Sequence, residues 1–194
     1  MDRKISSLIL LLLFIITASV SAQTKYVTKS FDVQIAGTSN VHDWTSKVTT
    51  VNVTGDFEIV NGAFNKLNSA VVTAQAKSIK STKNSDLMDE RTYSTIKADK
   101  NPTIVYVCTK LVSTHKSGAE TLVTVLGNLT IAGVTKPTEL VLHFKSTPAG
   151  DLQVTGSRKI LLSDHDIKAP SFMLGAMKVG NEITITFDVV LKKV

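Results

Sequence analysis

Only one cysteine, Cys108, occurs in the chain, so no internal disulfide can form and stability must come from a packed core. Its neighbours Tyr106 and Val107 are apolar. That setting reads as a buried, inert thiol, because a reactive thiolate needs a base and an electropositive, accessible environment. Arginine is scarce as well: three residues in all, the first at position 3. The formal charge of +6 is carried mainly by scattered lysines. Diffuse charge of this kind is a solvated surface and excludes a nucleic-acid groove, which wants clustered Arg/Lys with interleaved aromatics. Peripheral contact with an anionic membrane surface is left open. Motifs for chemistry are missing too, with no G-x-S-x-G, H-E-x-x-H or C-x-x-C. His42, His115, His143 and His165 are scattered, whereas a metal needs three or four ligands converging on one point. No metal, cofactor or catalytic residue is therefore expected.

What is present begins with a leader. MDRK supplies a basic start, SLILLLLFIITASV an apolar run, and the small residues around Ala22 an exit, which together make a secretory signal peptide. The run is shorter than the roughly 20 apolar residues of a membrane helix. No cysteine follows the cleavage point, which argues against a lipid-anchored N-terminus. Residues 1–22 are thus read as leader and 23–194 as one domain, periplasmic or secreted. Losing Asp2, Arg3 and Lys4 lowers the charge from +6 to +5.

The dominant pattern has a period of two. Phe31, Val33 and Ile35 alternate with polar residues, as do Val51, Val53, Phe57 and Ile59, and near the end Ile183, Ile185, Phe187, Val189 and Leu191. Successive strand side chains point to opposite faces, so these are strands with one dry face. Weaker β-rich runs cover 67–79, 103–112, 120–131, 138–146 and 152–162. Turn-forming segments at 61–65, 114–120, 132–137 and 147–151 separate them. The total is about eight strands, an all-β meandering antiparallel sheet or barrel. One segment breaks the rhythm: 84–102 reads as a helical insert, capped by Asn84 or Ser85 and stopped by Pro102. The last connection, 163–181, is oddly apolar for a loop. Phe172, Met173, Leu174 and Met177 should be covered, either as a plug or against a ligand.

GTSNVHDWTSKV, residues 37–48, places His42 and Asp43 beside the only tryptophan, Trp44. A catalytic dyad is one reading. Consecutive residues of an extended segment face opposite ways, however, which favours a bend at a barrel end with Trp44 packed inward. DHD at 164–166 is read as turn residues.

Two blocks carry a resemblance: MDERTYSTIKADKNPTIVYV at 88–107 and LTIAGVTKPTELVLHF at 129–144. With the tail from SDHDIKAP to ITITFDVVLKK they resemble the YceI-like family of polyisoprenoid-binding proteins over roughly 25–194. The resemblance implies a lipocalin-like antiparallel β-barrel with a hydrophobic lumen. It implies an isoprenoid ligand, a quinone or polyprenyl phosphate, held inside by a carrier or reservoir. Two departures mark a distinct branch: SNVHDW replaces a Val-Arg-Gly-type segment, and Arg91 stands where histidine is common.

The expected lumen wall is Phe31, Val33, Ile35, Val51, Val53, Phe57, Val123, Val125, Leu140, Leu142, Ile183, Ile185 and Phe187. The expected mouth is Trp44, Leu87, Met88, Phe172 and Met173. A one-residue register error would invert any strand of this set. The alternative is an interaction module with a solid barrel, in which the apolar loop at 172–177 meets a protein partner. Whether the lumen is open, and whether the chain forms a homodimer, is not legible in the sequence.

Overall fold

Alternating apolar residues need a partner for their dry face, and in this chain the sheet supplies it by closing on itself. The structure, a computed structural model, describes residues 24–60 and 63–194. The expected leader lies outside the described residues. Eleven strands follow in order: β1 (Thr24–Ser39), β2 (Trp44–Val48), β3 (Val51–Val60), β4 (Ala63–Gln75), β5 (Ile79–Ser81), β6 (Thr103–Ser117), β7 (Glu120–Ile131), β8 (Val134–Ser146), β9 (Leu152–Leu161), β10 (Ser171–Phe172) and β11 (Met177–Lys193). One helix, α1 (Asp86–Thr95), stands between β5 and β6.

Eight strands form the ring β1-β3-β4-β6-β7-β8-β9-β11, and β11 pairs back onto β1 to close it, all antiparallel. This is the expected all-β barrel with a helical insert, and closure removes the exposed edges of an open sheet. The short strands β2, β5 and β10 sit outside the ring at one end. β1 serves both groups: its start pairs with β3, and its end pairs with β2 from Gln34↔Lys47 to Gly37↔Trp44. A register shift between Thr28 and Ser30 lets both Tyr26 and Phe31 face the core despite their odd spacing.

Two turns explain where strand ends differ from expectation. Ala132 (φ 51°) and Gly133 (φ 84°) make a two-residue hairpin between Ile131 and Val134, so β8 already includes 134–137, including Pro137. Gly118 (φ 60°) serves the preceding hairpin, between β6 and β7, and β6 runs on to Ser117. The helix is shorter than 84–102. Ser85 caps it, its hydroxyl accepting from the Met88 N–H at 3.4 Å. It ends with Lys97 at φ 56°, the Ala98 N–H reaching the Tyr93 carbonyl at 2.9 Å and the Lys97 N–H reaching Ser94 at 3.2 Å. These paired bonds are a Schellman stop, with lysine where glycine is usual. Asp89, 6 % exposed, ties the helix to β5 by accepting from the Ser81 N–H at 2.7 Å and pairing with Lys80 at 3.1 Å.

The core divides along the barrel axis. At the end holding the β3–β4, β6–β7 and β8–β9 turns, here the lower end, Tyr26, Phe57, Phe64 and Phe144 stack with ring centroids 4.7–5.9 Å apart. At the upper end Ala76, Ile79, Tyr93, Ile96, Ala98 and Ile167 are buried beneath α1 and the segments flanking it. The last connection is also shorter than expected, because β11 begins at Met177. Phe172 pairs with it and lies under the Arg91 guanidinium, 3.9 Å from its ring centroid. Met173 and Leu174 contradict the expectation of cover, being 73 % and 111 % exposed. Among the described residues no helix is long and apolar enough to cross a membrane.

Candidate functional site

Between the lower aromatic cluster and the upper lid lies a cavity of about 210 Å³. Strand alternation builds it: Val51, Val53 and Phe57 on β3, Ala70, Val72 and Ala74 on β4, Leu140, Leu142 and Phe144 on β8, and Ile185, Phe187, Val189 and Leu191 on β11 share one inner face. Many of these residues are only partly buried although they point inward, because they face empty space. Polar atoms in the wall come from Tyr106, Cys108, Thr138 and Arg158 alone.

Each polar group but the last is held within the protein. The Tyr106 hydroxyl donates to the Thr138 carbonyl at 3.1 Å, and burial pushes its pKa well above the ordinary range. Burial also pushes the Cys108 thiol up, and its sulfur approaches the Leu126 carbonyl at 3.6 Å. The thiol is half-buried and lines the cavity, so it sits in an apolar setting as expected. Arg158 lies on the inner face of β9 by alternation with Val154 and Ile160, yet its side chain reaches an exposed position.

Ten of the residues expected in the wall line the cavity: Val33, Ile35, Val51, Val53, Phe57, Val125, Leu140, Leu142, Ile185 and Phe187. Three expected there do not. Val123 is wholly buried below Val125, Phe31 packs against the core lower on β1, and Ile183 lies at the upper end, 8 % exposed. None of the five residues expected at the mouth touches the cavity. The Trp44 ring lies over Gly37, where any Cβ would collide with it, and its Nε1–H donates to the Thr38 carbonyl at 3.2 Å. Leu87 is exposed, Met88 sits against the Ser81 hydroxyl, Phe172 is under Arg91, and Met173 is free at the surface. The reason is shared: these side chains belong to the lid and its outer rim, above the inner wall.

Residues 39–43 form a bend. The Ser39 hydroxyl donates to the His42 carbonyl at 2.7 Å, and a His42 ring nitrogen bonds the adjacent Asp43 carbonyl at 2.9 Å. Asn40 ties the bend to β11, accepting from the Lys178 N–H at 2.8 Å. His165 is 2 % exposed, and a ring nitrogen lies 3.0 Å from the Val134 carbonyl. It belongs to a single 3-10 turn, Leu162–His165, that straps the end of β9 onto the start of β8. Among the described residues no three His, Cys, Asp or Glu side chains converge as metal ligands would.

Sequence reasoning placed β-rich runs at 67–79, 138–146 and 152–162, but missed the wall residues of β4 and β9 and Phe144 of β8. The alternation is there, as in Leu152, Val154 and Ile160, but small residues on β4 and the polar Ser157, Arg158 and Lys159 on β9 blur it.

Several solved structures share this architecture. A polyisoprenoid binding domain from Saccharophagus degradans, implicated in plant cell wall breakdown, superposes with a TM-score of 0.68 at 12% identity, covering 89% of this chain and 99% of its own. Burkholderia cenocepacia BcnA gives 0.65 at 16% identity, over 82% and 95%. The Campylobacter jejuni YCEI protein gives 0.58 at 18%, over 77% and 84%. At these identities the likeness is one of fold. Among curated proteins no sequence matches the chain. The YceI-like domain model, by contrast, matches residues 18–191, and with that the chain belongs to the YceI-like domain family.

Proposed function

We propose that this protein binds a hydrophobic, isoprenoid-type lipid in the barrel cavity and acts as an exported carrier or reservoir rather than a catalyst. The observation that carries the reading is the cavity itself, walled by aliphatic and aromatic side chains with four polar exceptions. An apolar wall gives water little to bond, so each buried methylene of a ligand gains about 0.8 kcal/mol on transfer from water. Family membership and the description of the Saccharophagus degradans domain as polyisoprenoid-binding support a lipid of this class. The competing picture of a solid barrel sits poorly with a void of about 210 Å³ between two packed ends.

Organic extracts of natively purified protein, examined by mass spectrometry, provide the direct test. Co-purifying lipid, or uptake of an added quinone or polyprenol by the stripped protein, is the expected result. A preparation that holds none and takes up none ends the reading. Export belongs to the same proposal: protein recovered from the periplasm or medium should begin at Gln23.

A further inference from the structure

Every strand of the ring is hydrogen-bonded to two neighbours, but three junctions are incomplete. β1 and β3 pair only from Thr24↔Phe57 to Val27↔Thr54, and β2 takes over the upper part of β1. β4 and β6 pair only from Ala70↔Cys108 to Gln75↔Thr103, leaving their lower halves apart. There the Phe64 ring stacks on Phe144 with centroids 4.7 Å apart and fills the space behind the gap. β8 and β9 pair only from Leu142↔Gly156 to Ser146↔Leu152. Above that point 134–141 pairs only with β7, and 157–161 only with β11. The gap is bounded below by Gly156, over which the Phe187 ring lies, and above by the turn that carries His165 onto Val134.

The gap between β8 and β9 opens beside the cavity at its one charged wall residue. Arg158 lines the cavity and is exposed, which an inward-facing side chain achieves only where the wall is open. Across the gap, Lys136 shares a strand face with Thr138 and Leu140, both wall residues. Neither Arg158 nor Lys136 takes part in any ion pair among the described residues. Glu139 is the nearby carboxylate and, like Arg158, acts electrostatically on Tyr106, but by alternation it belongs to the outer face of β8 and does not line the cavity. A guanidinium kept at an apolar doorway is a recognition element for phosphate or carboxylate, which it can grip with two parallel hydrogen bonds.

We propose that the gap between β8 and β9 is the doorway of the cavity, and that it selects isoprenoid lipids with an anionic phosphate head, seated on Arg158 with Lys136 alongside while the chain lies in the lumen. The inference rests on the lipid-binding reading and adds the head group, favouring a polyprenyl phosphate over a quinone.

Lipid-stripped protein titrated with farnesyl phosphate and with farnesol tests it, because the two probes share one chain and differ in the head. The native protein should prefer the phosphate. Arg158→Gln should lower that preference about 10- to 100-fold, the worth of hydrogen bonds to a charged group. Lys136→Gln should lower it less, and rising salt should weaken phosphate binding more than alcohol binding. Arg158 is exposed, so the variants should fold, and thermal melts confirm it. Equal affinity for both probes in the native protein, or a preference untouched by Arg158→Gln, overturns the proposal while lipid binding stands. A loss of affinity for both probes alike also overturns it, since Arg158 would then shape the wall and not the head-group contact. If neither probe binds the folded native protein, the doorway falls together with the lipid reading.

Discussion

The two halves of the barrel have the same strands around them and opposite contents. Below, Tyr26, Phe57, Phe64 and Phe144 meet at the centre, each no more than 6 % exposed, and leave no room. Above them the same strands present Val51, Val53, Ala70, Val72, Ala74 and Ile104, whose short side chains cannot meet across the lumen. An eight-stranded barrel is near the size at which side chains just fill it, so the step from phenylalanine to alanine or valine decides between core and cavity. The ladders differ in parallel. Along β8 and β9 the solid half is continuously paired and the hollow half is not, while the β4–β6 gap of the solid half is backed by the Phe64 ring. One part of this sheet is built for stability and the other for access.

That contrast can be broken most severely at the floor. Phe144→Ala removes a ring that contacts both Phe57 and Phe64, and should cost about 3–5 kcal/mol of unfolding free energy in urea titrations. A loss under 1 kcal/mol would mean that the lower half is not the stabilising one. At the lid, Asp89→Ala strips the Ser81 N–H and Lys80 of their partner and should cost about 1–3 kcal/mol. Hydrogen exchange should then accelerate in 86–95 before it does in β7. In the hollow half the effects reverse: Ala74→Leu fills empty space, so stability should change by less than about 1.5 kcal/mol while lipid uptake falls. A variant that keeps full uptake would place the ligand elsewhere.

The smallest effect is in pH. Burial raises the pKa of both Tyr106 and Cys108 in the folded protein, so the folded state holds these protons more tightly than the unfolded chain. Their contribution is therefore intact at neutral pH and is lost as pH climbs past the ordinary thiol value of about 8.5. Melting temperature should decline from there upward, and Cys108→Ala should flatten the first part of the decline. A bound lipid should also slow labelling of Cys108 by maleimide, because the thiol lines the cavity.

Much of the ring was legible because a period of two survives wherever apolar residues are large. β1, β3, β7 and β11 could be read from Phe31, Val53, Val125 and Ile185 and their neighbours. β4 was harder, since the alanines that make room for the cavity weaken the very pattern that identifies a strand face. Arg158 was illegible as a wall residue for a related reason: a charge between Ser157 and Lys159 looks like a solvated face. Pro137 was read as part of a turn. It stands instead on a strand whose β9 side is unpaired, and proline is tolerated beside a free edge. Trp44 and Phe172 looked like rim residues because they are large and flank loops. Gly37, across the turn from Trp44, and Arg91, far from Phe172 in the sequence, take them up instead.

By itself the sequence determined the strand-rich class and the helical insert, because local alternation and turn chemistry act over a few residues, while the closed barrel was an expectation of the family that its two blocks resemble. Only the tertiary structure decided that the lumen is hollow above and filled below, that Arg158 faces it, and that the β8–β9 ladder stops halfway. Those outcomes depend on which side chains meet across the barrel and on which strands run out of partners. Both are settled by closure of the ring, a contact between residues far apart in the chain.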